Sequence, residues 1–230
     1  MKKLLLASTS TVYGSTYLSY LKEELYDFFK NVDEILFIPY ARPSGITHEA
    51  YTQIAHNFFQ QIGKQVVGLH SFAAPQEAIQ QAQAIFTGGG NTFVLVNELY
   101  ERNLMGVLRE AVLNGTPYMG TSAGSNLAGK TMQTTNDMPI VYPPSFETLG
   151  VVPFNINPHY LDPDPNSKHK GETRETRIKE FHVFNDIPVI GLREGSWLRV
   201  VGEEITLKGS LTARWFEKDK TPKEIKEIAY

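Results

Sequence analysis

Residues 117–124 read Pro-Tyr-Met-Gly-Thr-Ser-Ala-Gly and contain a G-x-S-x-G sequence. The apolar run at 117–119 predicts a buried strand, and a helix can follow Gly124. A serine at a sharp strand-to-helix turn is held in a strained conformation that presents its hydroxyl at the carboxyl edge of a sheet. The segment therefore predicts an α/β fold with Ser122 as a nucleophile. The alternative is a glycine-rich turn in which the serine is incidental.

Strand-like and helical patterns alternate from the N-terminus up to this segment. Buried strands are predicted over 3–7, 34–38, 65–69 and 84–87. Helical periodicity predicts helices over 16–29, 48–62, 75–82, 92–102 and 104–114. Strands that alternate with helices pair in parallel through right-handed crossovers, so this order predicts a doubly wound, mostly parallel sheet.

The pattern changes after about residue 129. The segment 131–165 is rich in Pro, Asn and Thr and shows little helical periodicity, so we expect loops that carry function. A helix is predicted over 171–184, and short C-terminal strands are predicted over 189–192, 197–201, 204–207 and 213–216. Because no internal repeat or linker divides the chain, we expect one α/β domain over 1–230.

The composition excludes several classes of protein. With 22 basic and 25 acidic residues the net charge is −3, which gives no reason to expect a nucleic-acid or anionic-membrane partner. The chain has no cysteine, so disulfides, a thiolate nucleophile and cysteine-ligated metal are excluded. The N-terminal apolar run is shorter than the roughly 7–15 residues of a signal-peptide core. We therefore expect a cytoplasmic protein without metal or cofactor, acting as a monomer or weak homodimer.

A second glycine-rich loop, Gly-Gly-Gly-Asn at 88–91, follows the strand predicted over 84–87. It matches neither G-x-G-x-x-G nor a P-loop with its lysine. Loops at the carboxyl ends of adjacent strands converge on one crevice in an open α/β sheet. We therefore predict an oxyanion hole made by the backbone N–H groups of Gly89, Gly90 and Ala123. A simple tight turn at 88–91 is the alternative.

A serine nucleophile needs a general base, which is usually a histidine held by a carboxylate. Of six histidines, His159 lies in Asn-Ile-Asn-Pro-His-Tyr at 155–160, where Pro158 excludes a regular helix. We predict His159 as the base, with His169 as the second candidate. The other histidines lie in predicted helices or at a strand end, where packing or surface roles are expected: His48, His56, His70 and His182.

Two carboxylates could orient the imidazole. Asp137 lies in Thr-Thr-Asn-Asp-Met-Pro at 134–139, and Glu194 follows the strand predicted over 189–192. Spacing does not choose between them, although the more rigid strand end slightly favours Glu194. The alternatives are that Asp137 forms a turn and that Glu194 is a surface partner of Arg193.

Several long motifs together resemble the peptidase E family of aspartyl dipeptidases, and the resemblance spans almost the whole chain. They are Gly-Gly-Gly-Asn-Thr-Phe at 88–93, Thr-Thr-Asn-Asp-Met-Pro-Ile-Val at 134–141, Ile-Asn-Pro-His at 156–159 and His-Lys-Gly-Glu-Thr-Arg-Glu at 169–175. The resemblance implies a flavodoxin-like sheet related to class I glutamine amidotransferases, with serine replacing their cysteine. Relatives often have Trp where this chain has Thr121, and the region 41–47 also differs.

The same resemblance implies serine-dependent hydrolysis, through an acyl-enzyme, of dipeptides and some tripeptides that carry an N-terminal aspartate. By position, Ser122 is the nucleophile and His159 the base, whereas the third member falls at Asp137 or at Glu194.

Recognition of an aspartyl side chain needs cationic donors. Arg174 and Lys170 follow the loop of the predicted base and are the expected donors, and Asn91 is expected to contact substrate. A solvated helix start is the alternative for the two cations.

Two other functions remain open at this point. One is a cyanophycinase-like exopeptidase that acts on β-linked aspartyl–arginine units. The other is a non-catalytic binding module, which the presence of both Ser122 and His159 disfavours.

Overall fold

The computed structural model describes residues 1–164, 166, 168 and 171–226. Its strands are β1 (Lys3–Ala7), β2 (Glu34–Ile38), β3 (Gln65–Gly68), β4 (Ile85–Thr87), β5 (Tyr118–Thr121), β6 (Asn155–Pro158), β7 (Val189–Leu192), β8 (Ser196–Val201), β9 (Glu204–Gly209), β10 (Ala213–Phe216) and β11 (Lys223–Ile225). Its α-helices are α1 (Lys22–Phe28), α2 (His48–Phe59), α3 (Pro75–Gln81), α4 (Thr92–Glu101), α5 (Met105–Leu113), α6 (Ala123–Asn126) and α7 (Arg174–Phe184).

The larger sheet has seven strands in the order β3-β2-β4-β5-β1-β8-β9. The first five strands of the chain pair in parallel, and β8 and β9 extend the sheet as antiparallel strands. Alternate residues of β1 enter different hydrophobic clusters, because Leu4 and Leu6 face one side and Leu5 and Ala7 the other. Helices α1 and α2 pack on one side, and α3, α4 and α5 pack on the other. The prediction of a doubly wound, mostly parallel sheet is confirmed.

A second sheet of four strands has the order β11-β10-β7-β6. The C-terminal strands therefore divide between two sheets, which the sequence pattern did not indicate. Residues of both sheets share one hydrophobic cluster, among them Leu198 on β8 and Ile190 on β7. This shared cluster supports the expectation of one domain, which stays a prediction.

The expectation of loops throughout 131–165 was wrong at β6. This strand pairs in parallel with β7 and forms the edge of the second sheet. Its sequence, Asn-Ile-Asn-Pro, has low strand propensity, and proline is tolerated because the strand lies at an edge. Buried amides replace the usual apolar packing: Asn157 Nδ2 donates to Thr134 O at 2.8 Å, and Asn155 Oδ1 accepts from Thr131 N at 2.9 Å.

Other differences are small. The helix predicted over 16–29 begins as a short 3-10 turn at Ser19–Leu21 and continues as α1. The helix predicted over 171–184 starts at Arg174, because Thr173 caps it by accepting from Thr176 N.

Among the helices that the structure describes, none combines the length and the hydropathy that a membrane span requires.

Backbone packs closely around the turn between β5 and α6. A Cβ added to Gly120 would lie 2.3 Å from Gly124 O, and one added to Gly124 would lie 2.2 Å from Thr87 O. Both glycines of the G-x-S-x-G sequence are therefore required by the close approach of neighbouring chain segments.

We expect Gly120→Ala to lower the free energy of unfolding by about 2 kcal/mol or more, because the added methyl group meets backbone that cannot move aside. Gly106→Ala is the control, since Gly106 lies in α5 with no atom near its Cβ position. It should leave stability unchanged or raise it by about 0.5–1 kcal/mol. Urea unfolding followed by circular dichroism measures both, and equal stabilities of the two variants would contradict the packing described here.

Candidate active site

Ser122 occupies the turn between β5 and α6. Its φ is 52° and its ψ is −111°, a conformation that non-glycine residues rarely adopt. Its backbone N–H donates to Ala7 O at 3.1 Å, at the carboxyl end of the neighbouring strand β1. The strand, the turn and the helix follow one another in the order that the sequence predicts.

The imidazole of His159 lies against the Ser122 hydroxyl, with 2.9 Å between Nε2 and Oγ. His159 directly follows β6, and its φ is 54°. Its backbone N–H donates to Ser8 Oγ at 2.9 Å, and the Ser8 hydroxyl donates in turn to Leu192 O at 2.7 Å. Ser8 therefore ties the end of β1 to the ends of β6 and β7. Sequence reasoning missed Ser8, and its position directly after the first predicted strand was the available signal.

Glu194 contacts the other ring nitrogen, with 2.6 Å between His159 Nδ1 and Glu194 Oε1. This contact is short for an N–H···O hydrogen bond, as is usual when the acceptor is a carboxylate. The arrangement favours the tautomer in which Nδ1–H donates to the carboxylate and Nε2 accepts the serine proton. The side chains of His159 and Glu194 are 36% and 47% exposed, so a small substrate can reach them from solvent.

Arg193 does not pair with Glu194, so the alternative of a surface pair between them is wrong. Its guanidinium instead binds the Asp162 carboxylate at 2.7 and 2.8 Å and the Glu224 carboxylate at 2.9 Å. The hydrogen bond from Arg193 is the main cause that lowers the pKa of Glu224 to about 2. These paired charges anchor the segment that carries Glu194.

Asp137 makes its hydrogen bonds at the N-terminus of α4. Its Oδ2 accepts from Thr92 N at 2.7 Å, from Thr92 Oγ1 at 2.6 Å and from Thr135 Oγ1 at 2.9 Å. A carboxylate is favourable there because the helix dipole is positive at that end. Within the described residues its hydrogen bonds do not reach His159. Of the two carboxylates that the sequence left open, Glu194 is the one in contact with the ring.

Asn91 caps the N-terminus of α4, next to Asp137. Its Oδ1 accepts from Val94 N at 3.1 Å, which makes it the N-cap of α4. Its Nδ2 donates to Met138 O at 2.9 Å. Asn91 and Asp137 therefore tie the 134–139 loop to the start of α4, and the expected contact of Asn91 with substrate stays a prediction.

The glycine loop at 88–91 packs against the nucleophile. A Cβ on Gly89 would lie 3.0 Å from Ser122 Cβ, and one on Gly90, whose φ is +150°, would lie 2.1 Å from Ala41 O. Within the described part of the chain, the backbone N–H groups of Gly89 and Gly90 donate to no acceptor. Ala123 opens α6, and the first N–H groups of a helix have no acceptor within the helix. No backbone acceptor therefore competes for these three N–H groups in the described residues, and their role as an oxyanion hole stays a prediction.

Arg174 is half-buried at the start of α7. Partial burial is the main cause that lowers its pKa, the Arg177 charge adds to this, and the Asp137 carboxylate opposes it. The side chain borders a cavity of about 420 Å³ between the 161–164 segment and α7.

The other predicted cation, Lys170, and the second candidate base, His169, lie outside the described residues. No cluster of three or more His, Asp or Glu side chains suited to a metal ion occurs in the part of the chain that is described.

The family model described as "Peptidase family S51" matches residues 4–208. The chain belongs to peptidase family S51. Its relatives include the "Probable alpha-aspartyl dipeptidase" of Drosophila melanogaster, 48% identical over 99% of this chain and 95% of that protein. They also include the "Peptidase E" of Streptomyces coelicolor, 49% identical over 96% of this chain and 90% of that protein. The prediction of a peptidase in the peptidase E group is confirmed.

One solved structure of another peptidase has the same fold as this protein. The crystal structure of a peptidase from an acI-B1 Actinobacterium aligns with a TM-score of 0.73 and covers 100% of this chain and 97% of that chain. The two sequences are 18% identical, so this likeness supports the fold alone.

Replacing Glu194 by glutamine should lower kcat by about 10²- to 10⁴-fold, because an amide can stabilise the wrong imidazole tautomer and cannot stabilise an imidazolium. Asp137→Asn is the matched control. It should lower the free energy of unfolding by about 1 kcal/mol through its bonds to Thr92, while kcat per folded molecule stays nearly unchanged. Steady-state kinetics and urea unfolding separate the two effects. A larger loss of kcat in Asp137→Asn than in Glu194→Gln would reverse the assignment.

Proposed function

We propose that this S51 peptidase hydrolyses dipeptides, and some tripeptides, that carry an N-terminal aspartate. The observation that carries the proposal is the continuous contact from Ser122 Oγ to His159 Nε2 at 2.9 Å and from His159 Nδ1 to Glu194 Oε1 at 2.6 Å. The names of the relatives, peptidase E and alpha-aspartyl dipeptidase, support the substrate class. Action in the cytoplasm as a monomer or weak homodimer remains a prediction.

Acylation begins with proton transfer from the Ser122 hydroxyl to His159 Nε2. Oγ then bonds to the carbonyl carbon of the aspartyl residue, and the carbonyl oxygen becomes an oxyanion. Glu194 stabilises the positive charge that develops on the imidazole, and it holds the ring so that Nε2 faces Oγ. When the C–N bond breaks, His159 returns its proton to the leaving amine, and the aspartyl group remains esterified to Ser122.

Deacylation repeats these steps with water in place of the serine. His159 removes a proton from water, the resulting hydroxide attacks the ester, and Ser122 recovers the proton as it leaves. In both halves the oxyanion accepts hydrogen bonds from the backbone N–H groups of Gly89, Gly90 and Ala123. Such preorganised donors contribute on the order of 10²- to 10³-fold each to kcat.

Arg174 is the proposed partner of the aspartyl side chain. It is a half-buried cation at the N-terminus of α7, where the helix dipole disfavours positive charge. An incoming carboxylate would offset this unfavourable placement and would receive a charge-assisted hydrogen bond. The Asp137 carboxylate, in the 134–139 loop, partly opposes the lowering of the Arg174 pKa.

The specificity test compares Asp-Leu with Asn-Leu. A site built for a carboxylate leaves its donors unsatisfied with a neutral analogue, so Asp-Leu should be cleaved about 10²-fold faster or more. Purified Ser122→Ala protein controls for contaminating host peptidases and should cleave neither dipeptide. Equal rates for the two dipeptides would overturn the aspartyl specificity. Cleavage of β-linked aspartyl–arginine alone would favour the cyanophycinase-like alternative, and cleavage of nothing would favour a binding module.

The variant Arg174→Ala separates the role of this cation from the rest of the site. It should slow the cleavage of Asp-Leu and spare that of Asn-Leu, so that the ratio of their kcat/KM values falls toward one. An unchanged ratio would assign the carboxylate to another cation.

A further inference from the structure

Tyr51, a residue of α2, contacts the glycine loop at 88–91, which also packs against Ser122. The residue is 2% exposed, and its ring packs edge-to-face against Phe37 with centroids 5.0 Å apart. The hydroxyl donates to Gly89 O at 3.1 Å. A Cβ on Gly88 would lie 2.5 Å from this hydroxyl, so the phenol fills the space directly against the loop.

The loop separates Tyr51 from the nucleophile. Tyr51 occupies the side to which a Gly88 Cβ would point, and Ser122 occupies the side to which a Gly89 Cβ would point. The carbonyl of Gly89 and the N–H of Gly90 belong to one planar trans peptide, so they point in opposite directions. A hydrogen bond that fixes the carbonyl toward Tyr51 therefore fixes the N–H of Gly90 away from it.

The next peptide, between Gly90 and Asn91, is held by a different segment of the chain, at Ala41. Asn91 N donates to Ala41 O at 2.7 Å, and a Cβ on Gly90 would collide with the same carbonyl oxygen. Three consecutive glycines offer no side chain that could restrain this loop, and glycine is the most flexible residue. The two hydrogen bonds, to Gly89 O and from Asn91 N, supply the restraint on either side of the Gly90 N–H.

We propose that Tyr51 is a positioning residue of the oxyanion hole, whose hydroxyl fixes the Gly89–Gly90 peptide so that the Gly90 N–H meets the oxyanion of the tetrahedral intermediate. This inference rests on the proposed function. A hydrogen bond to the carbonyl also polarises the peptide, which strengthens its N–H as a donor.

The phenol of Tyr51 remains a donor at neutral pH. Burial raises its pKa above the usual value for tyrosine, and the Arg42 guanidinium only partly opposes this. That guanidinium lies 4.8 Å from the centre of the Tyr51 ring, and the Arg42 residue is exposed to solvent. Arg42 thereby covers the ring on its open side and holds it in place through a cation–π contact.

The test compares Tyr51→Phe with Tyr100→Phe. Tyr100 is the matched control because its hydroxyl also donates to a backbone carbonyl, Glu147 O, at 3.1 Å. Tyr51→Phe should lower kcat for Asp-Leu about tenfold or more and change KM by less than about threefold, because the interaction serves the transition state. Tyr100→Phe should leave both constants unchanged. An unchanged kcat in Tyr51→Phe, or a rise in KM alone, would overturn the proposal.

A second readout isolates the oxyanion. An α-aminoboronic acid with the aspartyl side chain bonds through boron to Ser122 Oγ, the serine proton moves to His159, and a boron-bound oxygen takes the oxyanion position. The Ki of this boronic acid should be higher for Tyr51→Phe than for the wild type, by about the factor by which kcat falls. An unchanged Ki would overturn the proposal. The boronic acid also titrates active sites, so kcat is expressed per folded molecule.

If Tyr51→Phe does not fold, Arg42→Gln replaces it as the test variant. Loss of the cation over the ring should lower kcat about twofold or more at unchanged KM, because the phenol is less firmly held. An unchanged kcat or an effect on KM alone would overturn the positioning role. An inactive wild type, or one that Ser122→Ala does not inactivate, would instead reject the proposed function itself.

Discussion

The backbone of Ser122 holds a φ of 52°, and the arrangement around it depends on the restraints that keep it there. A conformation of this kind costs about 1–3 kcal/mol for a residue with a side chain. Buried hydrogen bonds restrain the turn: Ser125 Oγ donates to Ala7 O at 2.7 Å and lies 2.8 Å from Gly120 O, and Tyr118 Oη donates to Gly124 O at 2.7 Å. The strain persists because strands and helix are packed too closely for the turn to relax.

The candidate site joins the two sheets. Ser122 follows β5 of the larger sheet, whereas His159 and Glu194 follow β6 and β7 of the second sheet. Because β6 and β7 are parallel neighbours with Pro158 opposite Leu192, their carboxyl ends lie side by side. Ser8, at the end of β1, bridges the sheets through its bonds to His159 N and Leu192 O. The distance between nucleophile and base therefore depends on the packing between the sheets as well as on the turn at Ser122.

Because the site draws its residues from two sheets, only part of it could be predicted from the sequence. The turn at Ser122 is local, so a short motif and its flanking strand suffice to identify it. The choice between Asp137 and Glu194 depends on the pairing of β6 with β7, and β6 was hidden because Asn and Pro are poor strand residues. Tyr51 gives no sequence signal, since its hydroxyl meets a carbonyl 38 positions away. The residue pattern alone predicted a serine nucleophile with a histidine base, and the resemblance to the peptidase E family supplied the expectation of aspartyl dipeptides as substrates.

The central claim is that His159 activates Ser122 as a nucleophile. Treatment with a fluorophosphonate, followed by proteolysis and mass spectrometry, tests it most directly, because an activated serine oxygen displaces fluoride from phosphorus and keeps the phosphonyl group. The wild-type chain should carry the label on Ser122, and His159→Ala, treated in parallel, should remain unlabelled. Labelling at another residue, or equal labelling of Ser122 in both proteins, would contradict the claim.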